Sequence, residues 1–231
     1  GNAFEPIPSS FYTDGMVFEH HGIARLRNNV VIENAMVGVQ AGDYIDFSLP
    51  TTHNNNSYGG GALFIEQTNF NNNSIGVLLL PQYAGDQIFV RLSACTFSFS
   101  ANFPSMHRFP DIGYAGIYTI RPYLVQGCTF QNTNPSLITE RGTGIISNRY
   151  GGWVIPSLSG TPCRFTGLYK GIDAYATGSL QSGLFVTQNL FEEVNKGITL
   201  NGNAVSRISY NHFLRLDKNS YAVYALETRG I

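Results

Sequence analysis

Charged side chains are scarce in this sequence of 231 residues. Asp, Glu, Lys and Arg make up 13% of the chain and leave a net charge of −1, whereas they form about a quarter of an average globular protein. The 14 Lys and Arg residues are scattered, and binding to nucleic acid needs a basic patch that neutralises phosphates. No apolar run approaches the roughly 18 residues of a membrane helix. The sequence therefore predicts neither a nucleic-acid partner nor a membrane span.

Helical periodicity is also missing. No stretch of about ten residues places apolar side chains at the spacing of a helix face. By contrast, the chain contains 25 Gly and 21 Asn, which are residues that favour turns. Short segments of alternating β-branched residues lie between them, as in strands joined by turns. We therefore expect an all-β protein.

One sequence frame can be laid on the chain seven times. An aliphatic residue is followed three positions later by Asn, Cys or Thr, then by an aromatic residue, and then by Gly and a β-branched residue. Val186, Asn189, Phe191 and Gly197 give the complete frame. From the third copy onward the glycine positions are 28, 27, 26 and 25 residues apart, at Gly116, Gly144, Gly171, Gly197 and Ala222. A period in the twenties is typical of solenoids, and the core motif of leucine-rich repeats is absent.

Alignment of the copies predicts which side chains fill the interior. The residue after each glycine position is β-branched in every copy: Val39, Val77, Ile117, Ile145, Ile172, Ile198 and Val223. The residue two positions later is small or apolar. Because side chains alternate faces along a strand, both rows should point inward and the row between them outward. We predict a single domain over residues 1–231, a single-stranded parallel β-helix of about seven coils, recognisable over residues 30–226.

Two details of the alignment are less regular. In the first copy the frame falls on Val31, Asn34 and Met36. Three long loop insertions separate the copies, at residues 41–60, 97–115 and 148–161. Insertions of this kind are where a rigid scaffold carries its binding residues.

The frame resembles the right-handed parallel β-helix repeat of the pectin-lyase-like superfamily. The Asn-rich, Lys-poor composition is similar to β-helix regions of large secreted or surface proteins of Bacteroidota. The resemblance implies a right-handed helix and a secreted or cell-surface location. Such proteins carry an export signal and a C-terminal sorting domain for type IX secretion, and neither occurs here, so we expect a segment of a longer protein. β-Helices include lyases, hydrolases, adhesins and passive stalks, so the fold alone does not assign a function.

The three cysteines occupy one position of the frame. Cys95, Cys128 and Cys163 each lie two residues before the aromatic residue of their copy. We expect them to stack in adjacent coils as a buried column without metal, because three thiols in a line do not surround an ion tetrahedrally. One neighbouring pair would be close enough for a disulfide.

The candidate binding surface is the outward face of the strands that follow the glycines. Aromatic rings beside amide and guanidinium groups suit sugar rings, and binding residues concentrate on rigid scaffolds. The opposing interpretation is that aromatic loop residues pack over the coils and shield them. The predicted ligand-binding residues are Tyr118, Arg121, Asn148, Arg149, Trp153, Asp173, Tyr175 and Asn201. The expected role is structural or adhesive, with a polysaccharide or a surface protein as partner.

Two other functions remain open. A polysaccharide lyase or glycoside hydrolase acting on an acidic polysaccharide would use Asp173, Arg149 and Arg121, with Ca²⁺ as a possible cofactor of a lyase. Glycoside hydrolysis needs two carboxyl groups about 5–9.5 Å apart, and the register places no second acid beside Asp173. The other possibility is a passive spacer. Apart from that Ca²⁺, the sequence predicts no cofactor and no metal site.

The two ends of the predicted β-helix are expected to need a covering element. A terminal coil exposes unpaired backbone groups over an apolar interior, and solenoids cover it with a capping element. No amphipathic helix follows the seventh strand in the sequence. We therefore expect further domains or a partner chain to cap the ends.

Overall fold

The computed structural model describes residues 16–18, 23–41, 62–80, 90–100, 114–134, 141–148, 151–175, 183–202, 206–216 and 219–226. All regular secondary structure in these residues is β-strand, and all strand pairs are parallel. The strands form three sheets, which we label A, B and C, and each coil contributes its strands to them in the order B, C, A. The fold is therefore an all-β, right-handed parallel β-helix of seven coils, as predicted.

Each sheet takes one strand from every coil, and sheet A has an additional first strand. Sheet A consists of Met16–Phe18 (β1), Val37–Ala41 (β4), Ile75–Leu79 (β7), Ala115–Thr119 (β10), Thr143–Asn148 (β13), Lys170–Tyr175 (β16), Lys196–Asn201 (β19) and Tyr221–Leu226 (β22). Sheet B consists of Ile23–Leu26 (β2), Ala62–Glu66 (β5), Val90–Ser93 (β8), Tyr123–Gln126 (β11), Gly152–Ile155 (β14), Phe185–Thr187 (β17) and Arg207–Ser209 (β20). Sheet C consists of Val31–Glu33 (β3), Asn69–Asn71 (β6), Thr96–Ser100 (β9), Thr129–Asn134 (β12), Arg164–Thr166 (β15), Leu190–Glu192 (β18) and His212–Leu214 (β21).

The β-branched row predicted to fill the interior does so. Ile145 pairs with Ile172, and Ile172 with Ile198, and all three are 0% exposed. Burial of such a side chain stabilises the fold by roughly 1.5–3 kcal/mol. The last member of the row, Val223, is 39% exposed because it lies in the terminal coil. The register predicted from the sequence is confirmed.

A column of phenylalanine rings runs through the interior beside this row. Neighbouring rings are parallel to within 16° and their centroids are 4.6–4.9 Å apart, close to the spacing of strands in a sheet. Each stacked pair adds about 0.5–1.5 kcal/mol beyond burial. The column consists of Phe70, Phe97, Phe130, Phe165, Phe191 and Phe213.

The second residue of each sheet A strand from β4 to β19 is a glycine without room for a side chain. A Cβ atom on Gly144 would lie 2.6 Å from the carbonyl oxygen of Gly171 and 2.7 Å from the ring of Phe165. Equivalent contacts with the next coil occur at Gly38, Gly76, Gly116, Gly171 and Gly197. The glycine faces the interior and so does the residue after it, which means that strict alternation of faces fails at this corner. The residue before each glycine therefore points outward.

The first copy of the frame was assigned wrongly. Ile32 pairs with Phe70 and takes the place of the ring, six residues before Gly38. Asn34 lies in the following turn, with φ 57°, and Met36 packs on the outer face of sheet A. An isoleucine replaces the ring in this coil, so the aromatic signal was missing.

The third insertion was also misplaced. Residues 152–155 form strand β14, and Val154 pairs with Val125 and Val186 as the aliphatic position of its coil. The inserted loop is the shorter segment 156–162. It lies between Val154 and Cys163, which would otherwise be three positions apart, so the aliphatic residue of this copy was not recognised. The first insertion and most of the second lie outside the described residues.

The cysteine column is present as predicted. Cys95, Cys128 and Cys163 are free thiols with at most 1% exposure. The backbone N–H of Cys95 donates to Cys128 Sγ (3.4 Å), and that of Cys128 donates to Cys163 Sγ (3.4 Å). The N–H of Cys163 donates to Oδ1 of Asn189 (3.2 Å), which continues the column. These side chains satisfy backbone donors at a buried turn, where an unpaired N–H would be costly.

Because of the cysteine column, the stability of the protein should fall as the pH becomes alkaline. Burial raises the pKa of Cys163 from 9.0 to about 12. Between these values the unfolded chain loses this proton while the folded chain keeps it, so the free energy of unfolding falls as pH rises above 9, by up to about 1.4 kcal/mol per pH unit for each proton. Denaturant unfolding from about pH 8 to about pH 10.5 should show this slope. Cys163→Ala should reduce it, whereas Thr68→Ala, at another buried site, should not. An unchanged slope in Cys163→Ala would contradict the assignment.

Candidate functional site

On the first strands of sheet A, the side chains that point outward are buried. Leu78 and Ile146 point outward as predicted, yet they are only 0% and 5% exposed. They belong to a buried apolar cluster on this face: Val37, Ile75, Leu78, Leu80, Ala115, Tyr118 and Ile146. No ligand can reach the strands here, so the accessible part of the face lies in the last three coils.

In those coils the outer face is polar and partly open. Three rows of outward residues cross three neighbouring strands in register. We call this set the polar grid: Lys170, Asp173 and Tyr175 on β16; Lys196, Thr199 and Asn201 on β19; and Tyr221, Tyr224 and Leu226 on β22. The three β22 side chains are 42–51% exposed. With strands roughly 4.8 Å apart, the grid presents a repeating surface along the helix axis.

The charged groups of the grid are an ion pair and a separate lysine. Lys170 Nζ lies 2.6 Å from Asp173 Oδ2. This contact exists because the inward glycine between them brings both side chains to the same face. The ammonium of Lys196 lies 5.4 Å from the ring centroid of Tyr169, within the range of a cation–π interaction. Lys196 has no ion-pair partner among the described residues.

A hydrogen-bonded group borders the grid on the closed side. The amide of Asn148 donates to the hydroxyl of Tyr118 (3.1 Å), and Tyr118 is also hydrogen-bonded to Tyr175. Burial, followed by the proximity of Tyr118 and Asp173, raises the pKa of Tyr175 well above its usual value. The hydrogen bond to Tyr118 places Tyr175 at the edge of the grid.

Two buried polar atoms on this face have no hydrogen-bond partner within the described residues. They are Oδ1 of Asn148 and Oγ1 of Thr199. Buried polar groups are normally satisfied, and an unsatisfied one costs about 1–3 kcal/mol. Both atoms are inaccessible from outside, so they do not form part of the surface that a ligand can contact.

The remaining predicted site residues are not on the grid. Arg121 is buried, its Nε donates to the carbonyl oxygen of Leu80, and burial lowers its pKa to about 10. It follows β10, two strands away from β16, so it is roughly 10 Å along the axis from Asp173. Trp153 lies on sheet B, a different face of the helix. Arg149 lies outside the described residues.

The described carboxylates do not form a catalytic pair. Asp173 is the one acid of the grid and is paired with Lys170. Glu192 and Glu193 both interact with Arg215. Across the described part of the chain, no group of three His, Cys, Asp or Glu side chains could hold a metal ion. The arrangement can hydrogen-bond, stack against and attract a ligand.

Sequence reasoning missed a row on the outer face of sheet B. The guanidinium of Arg25 lies 5.5 Å from the ring centroid of Phe64, and Trp153 stacks on Phe185 at 5.9 Å. The row consists of Arg25, Phe64, Arg91, Leu124, Trp153, Phe185 and Arg207. Each member of the row is the residue just before the inward aliphatic residue of the frame. Alignment of the copies therefore contains this row, although it was not predicted as a candidate site.

Comparison of the chain with protein-family models, with curated proteins and with solved structures gave no match. The described residues contain no helix that is long and apolar enough to cross a membrane. The function must therefore be argued from the site.

Proposed function

We propose that the protein is a secreted or cell-surface β-helix protein with an adhesive role, and that it binds an acidic polysaccharide through the polar grid. The observation that carries the proposal is the grid itself, with its tyrosines, its lysines and the amide of Asn201 in register on three neighbouring strands. A ligand with repeating units suits a surface that repeats along the helix axis.

The chemistry of the grid supports a sugar ligand. Tyr221 and Tyr224 offer exposed aromatic surface, and Asn201 offers an exposed amide beside them. Such groups on a rigid scaffold are typical of binding sites.

The charges favour an acidic polysaccharide over a neutral one. Asp173 is already compensated by Lys170, which leaves Lys196 as the cation available to a ligand carboxylate. A charge-assisted hydrogen bond contributes about 1.5–3 kcal/mol. The similarity of the composition to β-helix regions of secreted or surface proteins of Bacteroidota supports the proposed location.

Binding to polygalacturonate and alginate, measured by calorimetry, tests the proposal. Lys196→Gln should weaken binding about tenfold or more because it removes the charge that meets the carboxylate. Arg207→Gln is the matched control, since it removes one positive charge from the outer face of sheet B and should leave affinity unchanged.

Two results would count against the proposal. Equal losses in Lys196→Gln and Arg207→Gln would show that only net charge matters. Release of reducing or unsaturated ends from either polysaccharide would assign a hydrolase or a lyase instead of a binding protein.

A further inference from the structure

The turn between sheets B and C carries an inserted loop in one coil. Five coils turn there around a single residue with φ between 50° and 57°: Gln67, Ala94, Gly127, Gln188 and Tyr210. The coil of β14 and β15 has the loop of residues 156–162 in its place. The loop projects from the corner and stands beside the same corner of the next two coils.

The loop is held by its own hydrogen bonds. The N–H of Ser157 donates to the carbonyl oxygen of Thr161 (2.7 Å), and the N–H of Gly160 donates to that of Ser157 (2.9 Å). The hydroxyls of Ser157 and Ser159 are 2.8 Å apart. The loop also packs closely over the preceding coil, where a Cβ atom on Gly127 would lie 2.8 Å from Ser157 Cβ. Its shape is therefore fixed before any ligand binds.

A cleft of ≈ 860 Å³ lies between this loop and the two following corners. The loop forms one wall. The floor contains Thr187, Gln188 and Leu190 from one coil and Tyr210 and His212 from the next. Clefts of about 300–1,000 Å³ are the usual size for small ligands.

The lining of the cleft has no Asp, Glu, Lys or Arg among the described residues. His212 is its one titratable side chain besides Tyr210. Apolar surface comes from Leu158, 91% exposed, and from the ring of Tyr210, 76% exposed. Thr187 and Gln188 add a hydroxyl and an amide to the lining. A charged ligand would find no counter-ion here, whereas a ligand with both hydroxyls and an apolar ring face would find partners for each.

Tyr210 occupies an unusual backbone position for its size. It has φ 56°, in the left-handed region that bulky side chains seldom adopt. The same conformation recurs at this turn in Gln67 and Gln188, so the coil imposes it and not Tyr210 itself. Ala94 at the equivalent turn has φ 53°, so the turn does not require an aromatic residue. The ring of Tyr210 is exposed at the mouth of the cleft and contributes nothing to the interior.

We propose that this corner cleft is a second binding site, which takes a short uncharged oligosaccharide stacked on Tyr210. The site is separate from the polar grid in position and in charge. The proposal does not depend on the polysaccharide-binding function of the grid.

Calorimetric titration with cellohexaose, xylohexaose, mannohexaose and maltohexaose tests the second site. At least one of the four should bind, and Tyr210→Ala should weaken that binding about tenfold or more. A variant in which one glycine replaces residues 156–162 copies the turn at Gly127 and should abolish it. Lys196→Gln should leave it unchanged, which separates this site from the grid.

The folded state of both variants is checked by circular dichroism and thermal unfolding. If the loop replacement does not fold, Tyr210→Ala decides the question alone, because alanine occurs at this turn in another coil. The proposal is overturned if none of the four hexaoses binds or if binding survives in Tyr210→Ala.

Discussion

Ile172→Asp is expected to unfold the protein or to destabilise it by more than about 4 kcal/mol, at the extreme of single substitutions. Ile172 is 0% exposed and lies between Ile145 and Ile198 in the interior. The described side chains that pack with it in the interior are apolar. A carboxylate there would therefore be unpaired, and burial of an unpaired charge is severely unfavourable. Native domains are stable by only about 5–15 kcal/mol, so the loss is a large share of the total.

Thermal unfolding followed by circular dichroism measures the effect. Asn201→Asp is the control because it introduces the same group at an exposed position on the outer face of the neighbouring strand. It should change stability by less than about 1 kcal/mol. If the Ile172→Asp protein folds and melts within a few degrees of the parent, position 172 must be accessible to water. That result would contradict the register, which places Ile172 in the dry interior.

The second large effect is expected from a single methyl group. Gly144→Ala should cost about 3 kcal/mol or more, because the new Cβ atom would lie 2.6 Å from the carbonyl oxygen of Gly171 and 2.7 Å from the ring of Phe165. Neither neighbour can move freely, since the oxygen belongs to the backbone and the ring is stacked on both sides. Denaturant unfolding gives the change in free energy.

Ala222→Gly tests the same corner in the opposite direction. Ala222 occupies the glycine position in the terminal coil, where no described strand lies beyond it. Its replacement should cost only about 0.5–1 kcal/mol, the backbone entropy of a glycine. If Gly144→Ala cost no more than Ala222→Gly, close packing at the corner would not be the reason for glycine there.

The interior was predictable because it repeats. The spacing between ring, glycine and β-branched residue is set by the length of one coil, and it located Ile117, Ile145, Ile172 and Ile198 without any structure. The prediction failed where the spacing was broken. Ile32 replaces a ring, and a seven-residue loop separates Val154 from Cys163. Both are local exceptions that only the pairing of strands can reveal.

The candidate site was less predictable, for two physical reasons. Strict alternation along a strand places the residue before each glycine inward, so Lys170 and Lys196 were not considered, although the inward glycine turns both outward. The accessibility of the outer face depends on what covers it and not on the strand pattern. Tyr118 and Asp173 occupy the same outward row, yet the first is 9% exposed in the closed cluster and the second belongs to the open grid.

The glycine corner also limits which strand can follow β22. From β4 to β19, the missing side chain leaves space that the carbonyl oxygen of the following coil occupies. At Ala222 that space is filled by a methyl group. Any strand that pairs with β22, whether from a longer chain or from a partner, therefore has to place its backbone differently from the strands before it, so the stacking of equivalent corners is interrupted at Ala222.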